Sequence, residues 1–98
     1  MNDKQDKKFA IVTGGSRGIG FAIAKLLAGR GYNLGLISLN SDRLDKAVNH
    51  LSKSFPNVDV HAFKADVSKI DDIDNAIRFF LDKNETIDVL VNNAGMFT

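Results

Sequence analysis

No cysteine occurs in the chain, so disulfides, thiol chemistry and cysteine-ligated metals are excluded. Neither sign of charge is in excess. The 13 basic and 12 acidic residues leave a formal charge of +1, which provides no basic stripe for nucleic acid and no polybasic arm for a membrane surface. Any selectivity for phosphate must therefore be local. No apolar stretch approaches the ~20 residues that span a bilayer. The tail over residues 1-8 is polar, without the apolar core of a signal peptide. A soluble cytoplasmic protein, with no membrane and no nucleic acid among its partners, is the expectation. Repeats, linkers and low-complexity segments are lacking too, and the length admits a single domain, over residues 9-98.

What the chain does contain is an alternation of strand and helix patterns. Phe9-Ala10-Ile11-Val12 is an apolar run too short for a helix and suits a buried parallel strand. A helix opening near Arg17 carries Ile19, Ile23, Leu26 and Leu27 at helical spacing, and Gly29 and Gly31 end it. Leu34 to Ile37 reads as a second strand. Ser41 is expected to cap a helix whose apolar face is Leu44, Ala47, Val48, Leu51 and Phe55, stopped by Pro56. Val58 to Phe63 alternates in the manner of a strand near a sheet edge. Ser68 with Asp71 resembles a capping box for a helix through Ile70, Ile73, Ile77, Phe80 and Leu81. Ile87 to Val91 is nearly all apolar, which predicts a fourth strand covered on both faces.

Four strands alternating with three helices imply a doubly wound, Rossmann-like α/β fold with a parallel sheet and right-handed crossovers, in the order 3-2-1-4. Strands one and four are then neighbours where the winding reverses, and such sheets bind ligands in the crevice beyond the carboxyl ends of those strands. Two motifs fall there. Gly14, Gly18 and Gly20 follow the first strand; glycine permits positive φ and close approach, so a turn so spaced aims amides at an anion, pyrophosphate being the natural guest. Asn92-Asn93-Ala94-Gly95 follows the fourth. The glycines alone could form a mere strand-to-helix turn, because Gly14-x3-Gly18-x-Gly20 departs from the commonest dinucleotide fingerprint. Convergence of both motifs on one crevice is what argues for a site.

Thr13 to Gly20 (TGxxxGxG), Asp66-Val67 after the third strand, and NNAG at Asn92 to Gly95 together resemble the N-terminal cofactor-binding half of the short-chain dehydrogenase/reductase family, of the classical type. The resemblance implies that Gly14 and Gly20 shape the pyrophosphate turn with Gly18 between them, and that Ser16 and the Ile19 backbone contact ribose and phosphate. Asp66 and Val67 would frame the adenine. Asn93, Ala94 and Gly95 would line the adenosine ribose while tying the fourth strand to the first. It also implies an oxidoreductase that moves hydride between a nicotinamide and a small-molecule alcohol or carbonyl substrate.

The identity of the cofactor turns on charge. NAD-preferring folds place an acid at the end of the second strand to meet the ribose 2′-OH; here Ser38 stands there, followed by uncharged Leu39 and Asn40. Arg17 matches a position that family members use to hold a 2′-phosphate, although the basic residue often found where Leu39 stands is missing. NADP(H) is favoured, with NAD(H) as the alternative. Arg43 is assigned to an exposed helix face, with a contribution to the phosphate kept open.

No residue of this chain takes a catalytic or metal-binding role. Family members carry a Ser and a Tyr-x-x-x-Lys unit beyond the region resembled, whereas Tyr32, the one tyrosine, is followed four residues later by Leu36 and reads as packing. His50 and His61 are read as surface residues, and Asp71, Asp72 and Asp74 as a helix N-terminal charge cluster. A chain stopping after an apolar fourth strand leaves an unpaired edge, so a homo-oligomer or an aggregation-prone species is expected. The alternatives to an oxidoreductase half are a non-catalytic dinucleotide-binding module and an inactive gene remnant.

Overall fold

The computed structural model describes residues 7–83 and 86–93. The elements are β1 (Phe9–Thr13), α1 (Gly18–Gly29), β2 (Asn33–Ser38), α2 (Ser41–Ser54), β3 (Val60–Lys64), α3 (Ile70–Lys83) and β4 (Val89–Asn92). All pairings are parallel and the order is β3-β2-β1-β4, as the alternation predicts. Ile11 sits opposite Gly35 on one side and Leu90 on the other, so β1 is an interior strand between β2 and β4.

Strand side chains alternate between faces, and the two faces of this sheet build two separate cores. Ala10, Val12, Leu34 and Leu36 meet Ala24 and Ala28 of α1 and Leu44, Ala47 and Leu51 of α2. Phe9, Ile11 and Ile37 meet Ala76 and Phe80 of α3. The Phe80 ring occupies the room above Gly35, where an added Cβ would lie 2.7 Å from it.

Four local expectations are corrected. The buried side of α1 is Gly20, Ala24 and Ala28, while Ile19 and Leu26 are 60% and 57% exposed. Small residues at i, i+4 and i+8 let this helix lie close to the sheet, and the larger apolar side chains are left to its flanks. The cap of α2 is Asn40, whose Oδ1 accepts the Arg43 N–H at 3.0 Å; Ser41 is the first helical residue. Ser68 donates its hydroxyl to Asp66 Oδ1 at 2.6 Å, and the carboxylate that reaches back toward the helix start is Asp72, accepting the Asp66 N–H at 2.8 Å. Asp71 is exposed. β3 begins at Val60, because the Val58 amide closes a turn onto the Phe55 carbonyl and the Asp59 amide is taken by Asn33 Oδ1.

β4 departs furthest from expectation. Val89 and Val91 are half-buried against the α1/α2 core, but Leu90 is 60% exposed, and Ile70 at the start of α3 is 82% exposed. β4 pairs with β1 alone in the sheet, and among the described residues no element packs over Leu90. No helix of the described residues is long and apolar enough to cross a membrane.

Candidate functional site

Hydrogen bonds at the carboxyl ends of β1 and β4 hold the site together. Thr13, at the last position of β1, is only 7% exposed. Its hydroxyl oxygen accepts the Asn93 N–H at 2.9 Å, and its proton is directed to the Val91 carbonyl and Asn92 Oδ1, both at 3.3 Å. These bonds tie the carboxyl ends of strands one and four, beyond the backbone pairing of the two strands, and Thr13 was not singled out in the sequence. The signal was present, since Thr13 opens the glycine motif.

Beyond Thr13 the chain turns through Gly14 (φ 66°) and Gly18 (φ 61°), both in the left-handed region that favours glycine. Gly14 still belongs to the sheet's hydrogen bonding, its N–H donating to the Ile37 carbonyl at 2.7 Å. Gly20 allows the close approach that completes the turn. An added Cβ there would overlap the Gly14 carbonyl oxygen and come within 2.8 Å of Asn93 Nδ2. The first turn of α1 and the end of β4 are thus packed onto the same glycine loop.

The loop opens into a cavity of about 760 Å³, within the size range of small-molecule sites, ~300–1,000 Å³. The glycine loop and α1 supply Gly14, Ser16, Arg17, Gly18 and Ile19; the end of β2 and the start of α2 supply Ile37, Ser38, Leu39, Asn40 and Arg43. Ala65 to Ser68 after β3, and Asn93 after β4, complete the lining. Ile19 is exposed because its helix position faces this opening rather than the sheet. Ser16 Oγ and Ser38 Oγ lie 3.2 Å apart, linking the glycine loop to the end of β2.

Charge is divided along the cavity. Arg17 and Arg43 bring cations to the side of Ser38, where no acid stands. On the β3 side, Asp66 accepts from the Ser68 hydroxyl and, at 2.9 Å, from the Ser68 N–H. These two bonds, first the hydroxyl and then the amide, with Lys69 adding a smaller attraction, hold the Asp66 carboxyl below its ordinary range. Ten of the twelve residues read from the sequence as site residues therefore lie on this glycine turn or line this one cavity. Ala94 and Gly95 lie outside the described residues. Leu39, Asn40, Arg43 and Ser68 join the lining without having been chosen. Arg43 is exposed on α2 as expected, and it faces the cavity as well.

Among the described residues no group of three or more His, Asp or Glu could hold a metal ion. His50 packs edge-on against Phe21, with ring centroids 5.5 Å apart, and does not line the cavity. Tyr32 is half-buried against the α1/α2 core. A second cavity of about 340 Å³ adjoins the first on the α3 face, lined mainly by apolar groups including Ile73, Ile77 and Leu90.

A parallel sheet with its winding reversal at β1/β4 and a glycine turn at that point defines a doubly wound nucleotide-binding architecture. More narrowly, the chain belongs to the short-chain dehydrogenase family, whose model, described as short chain dehydrogenase, matches residues 8–98. It is similar to the 3-oxoacyl-[acyl-carrier-protein] reductase FabG of Chlamydia trachomatis, 46% identical over 89 residues that cover 91% of this chain and 36% of that one. The very-long-chain 3-oxoacyl-CoA reductase of Mus musculus is 44% identical over 89 residues, covering 91% of this chain and 28% of the relative. Among solved structures, L-sorbose reductase from Gluconobacter frateurii, complexed with NADPH and L-sorbose, matches with a TM-score of 0.90 and 34% identity over 100% of this chain and 37% of that one. The chain spans about a third of the length of these relatives.

Proposed function

We propose that this chain forms the NADP(H)-binding part of an oxidoreductase that transfers hydride between a nicotinamide and an alcohol or carbonyl substrate. The observation that carries the proposal is the joint placement of the glycine turn, Ser38 and Arg17 on one cavity beside the β1/β4 junction. The residues present fit the cofactor's anionic centre. The loop at Gly14 to Gly20 has the close approach that a diphosphate needs, and the amide-rich start of α1 favours negative charge. When bound, the cofactor supplies the hydride chemistry; this chain's residues bind and orient it.

In this reading Gly14, Gly18 and Gly20 shape the diphosphate turn, while Ser16 and the Ile19 backbone reach phosphate and ribose. Asp66 and Val67 border the adenine, and Asn93, with Ala94 and Gly95, borders the ribose. Ser38 neither repels a 2′-phosphate nor competes for its charge, and Arg17 binds it. That NADPH or an NADP analogue is bound by L-sorbose reductase and by the Thermococcus sibiricus alcohol dehydrogenase supports the preference.

Calorimetric titration of the chain with NADPH and NADH tests the reading. A charge-assisted contact contributes about 1.5–3 kcal/mol, so NADPH should bind at least about tenfold more tightly than NADH. Arg17→Ala should weaken NADPH while leaving NADH nearly unchanged. Equal weakening of both dinucleotides would refute the assignment of Arg17, and no binding of either by folded protein would refute the whole reading.

A further inference from the structure

We infer that Arg43 is a second phosphate-selecting cation, which works with Arg17 in the cavity that Ser38 also lines and takes the place of the basic residue missing at Leu39. The inference rests on the dinucleotide reading above and assigns a further residue to the same cavity.

Three observations carry it. First, Arg17 and Arg43 line one cavity although they are delivered by different elements, the glycine loop and the first turn of α2. Second, the position of Arg43 is set by its neighbours. Its N–H is held by Asn40 Oδ1 at 3.0 Å, the Asn40 N–H is directed to Ser38 Oγ at 3.3 Å, and the next residue, Leu44, is buried in the sheet-facing core. The backbone from Ser38 to Leu44 is therefore anchored at both ends, and the arginine leaves it at a defined point beside the cavity. Third, among the described residues neither guanidinium is engaged in an ion pair, whereas Arg78 is paired with Asp74 at 3.0 Å. Two arginines outside any ion pair among the described residues thus line a cavity that also contains a serine where an acid would discriminate against phosphate.

The charges facing this corner are few. Asp42 precedes Arg43 in the first turn of α2 and is exposed, and Asp66 lies on the other side of the cavity, where its carboxylate is occupied by Ser68. Lys69 follows on that side. The planar fork of arginine matches two oxygens of a phosphomonoester at once, which makes the pair selective for a phosphate on the ribose and indifferent to a bare hydroxyl.

The test uses the full chain and measures binding, not turnover. Dissociation constants for NADP+, NAD+, adenosine 2′,5′-bisphosphate and 5′-AMP are determined by calorimetry for the wild type, Arg17→Gln, Arg43→Gln and the double variant. Arg43→Gln should weaken NADP+ and the 2′,5′-bisphosphate by about tenfold, the scale of one charge-assisted contact, and change NAD+ and 5′-AMP less than about twofold. Leu39→Arg introduced into Arg43→Gln should restore the preference, and Arg43→Lys should retain part of it. If Arg43→Gln leaves NADP+ binding within about twofold while Arg17→Gln abolishes the preference, the role of Arg43 is refuted and the cofactor reading stands. Equal weakening of all four ligands assigns Arg43 to the stability of α2 and likewise refutes the role. A wild type that binds NAD+ as tightly as NADP+ refutes the cofactor preference and the inference with it.

Discussion

The face of the sheet beneath α1 and α2 and the face beneath α3 are made from the same four strands, yet they are finished to different degrees. On the first, strand residues from β1, β2 and β3 are buried under two helices, and Val89 and Val91 extend that core onto β4. On the second, Phe80 and Ala76 cover Phe9, Ile11 and Ile37, but Leu90, which lies beside Ile11 on the same face, is exposed. Leu90 is as apolar as its neighbours. Among the described residues, what separates it from Ile11 is that Ala76 and Phe80 of α3 pack with Ile11, whereas Leu90 faces a cavity that it lines with Ile73 and Ile77. Burial is thus decided by topology, while the strand's own sequence specifies only that it can be buried.

Three substitutions sharpen that contrast, beginning with the largest effect. Phe80→Ala removes the ring that fills the α3 face and packs against Phe9 at a centroid distance of 5.7 Å. A loss of about 3–5 kcal/mol in denaturant-induced unfolding is expected. A loss below ~1 kcal/mol would mean that this face is not a packed core at all.

Leu90→Thr tests the open end of the same face. An exposed position away from special features changes stability by no more than about 0.5 kcal/mol, but the substitution removes an apolar group from an edge strand. Sedimentation velocity should therefore show less self-association for this variant than for the wild type. Unchanged association would place any contact between copies elsewhere.

The smallest effect concerns the carboxylate at the rim. Ser68→Ala deletes the hydroxyl that is the chief cause of the lowered Asp66 pKa, so that pKa should rise in an NMR titration. A depressed carboxylate pKa contributes stability above the ordinary carboxylate value, and that contribution is lost as pH falls through the lowered one. The variant should therefore be slightly less stable near neutrality and approach the wild type in acid. A pKa unmoved by the substitution would show that the bond to Ser68 is not its cause.

Legibility of the sequence followed how far each feature depends on distant residues. The α2 pattern Leu44, Ala47, Leu51 was read correctly because its apolar spacing stands out against a polar background. That of α1 was misread, since nearly every position there is apolar and only contact with the sheet selects Gly20, Ala24 and Ala28. The cap at Asn40 was missed by one residue, and before α3 the accepting carboxylate is Asp72 rather than Asp71, as several polar side chains in each turn could have served. The glycine spacing and Asn93, set beside each other in the sequence reading, are also brought together in the fold. Arg43 was legible as an exposed arginine with a phosphate contact left open, and its place on the cavity with Arg17 came from the fold.

Sequence by itself determined the alternation of strands and helices, the parallel sheet with right-handed crossovers that follows from it, and the glycine turn, because each depends on residue type and short-range spacing. Tertiary structure alone decided which side of α1 is buried, why Leu90 stays in solvent, and that Arg17 and Arg43 share one cavity. Those depend on what lies opposite a side chain across the fold, and chain order carries no direct record of that distance.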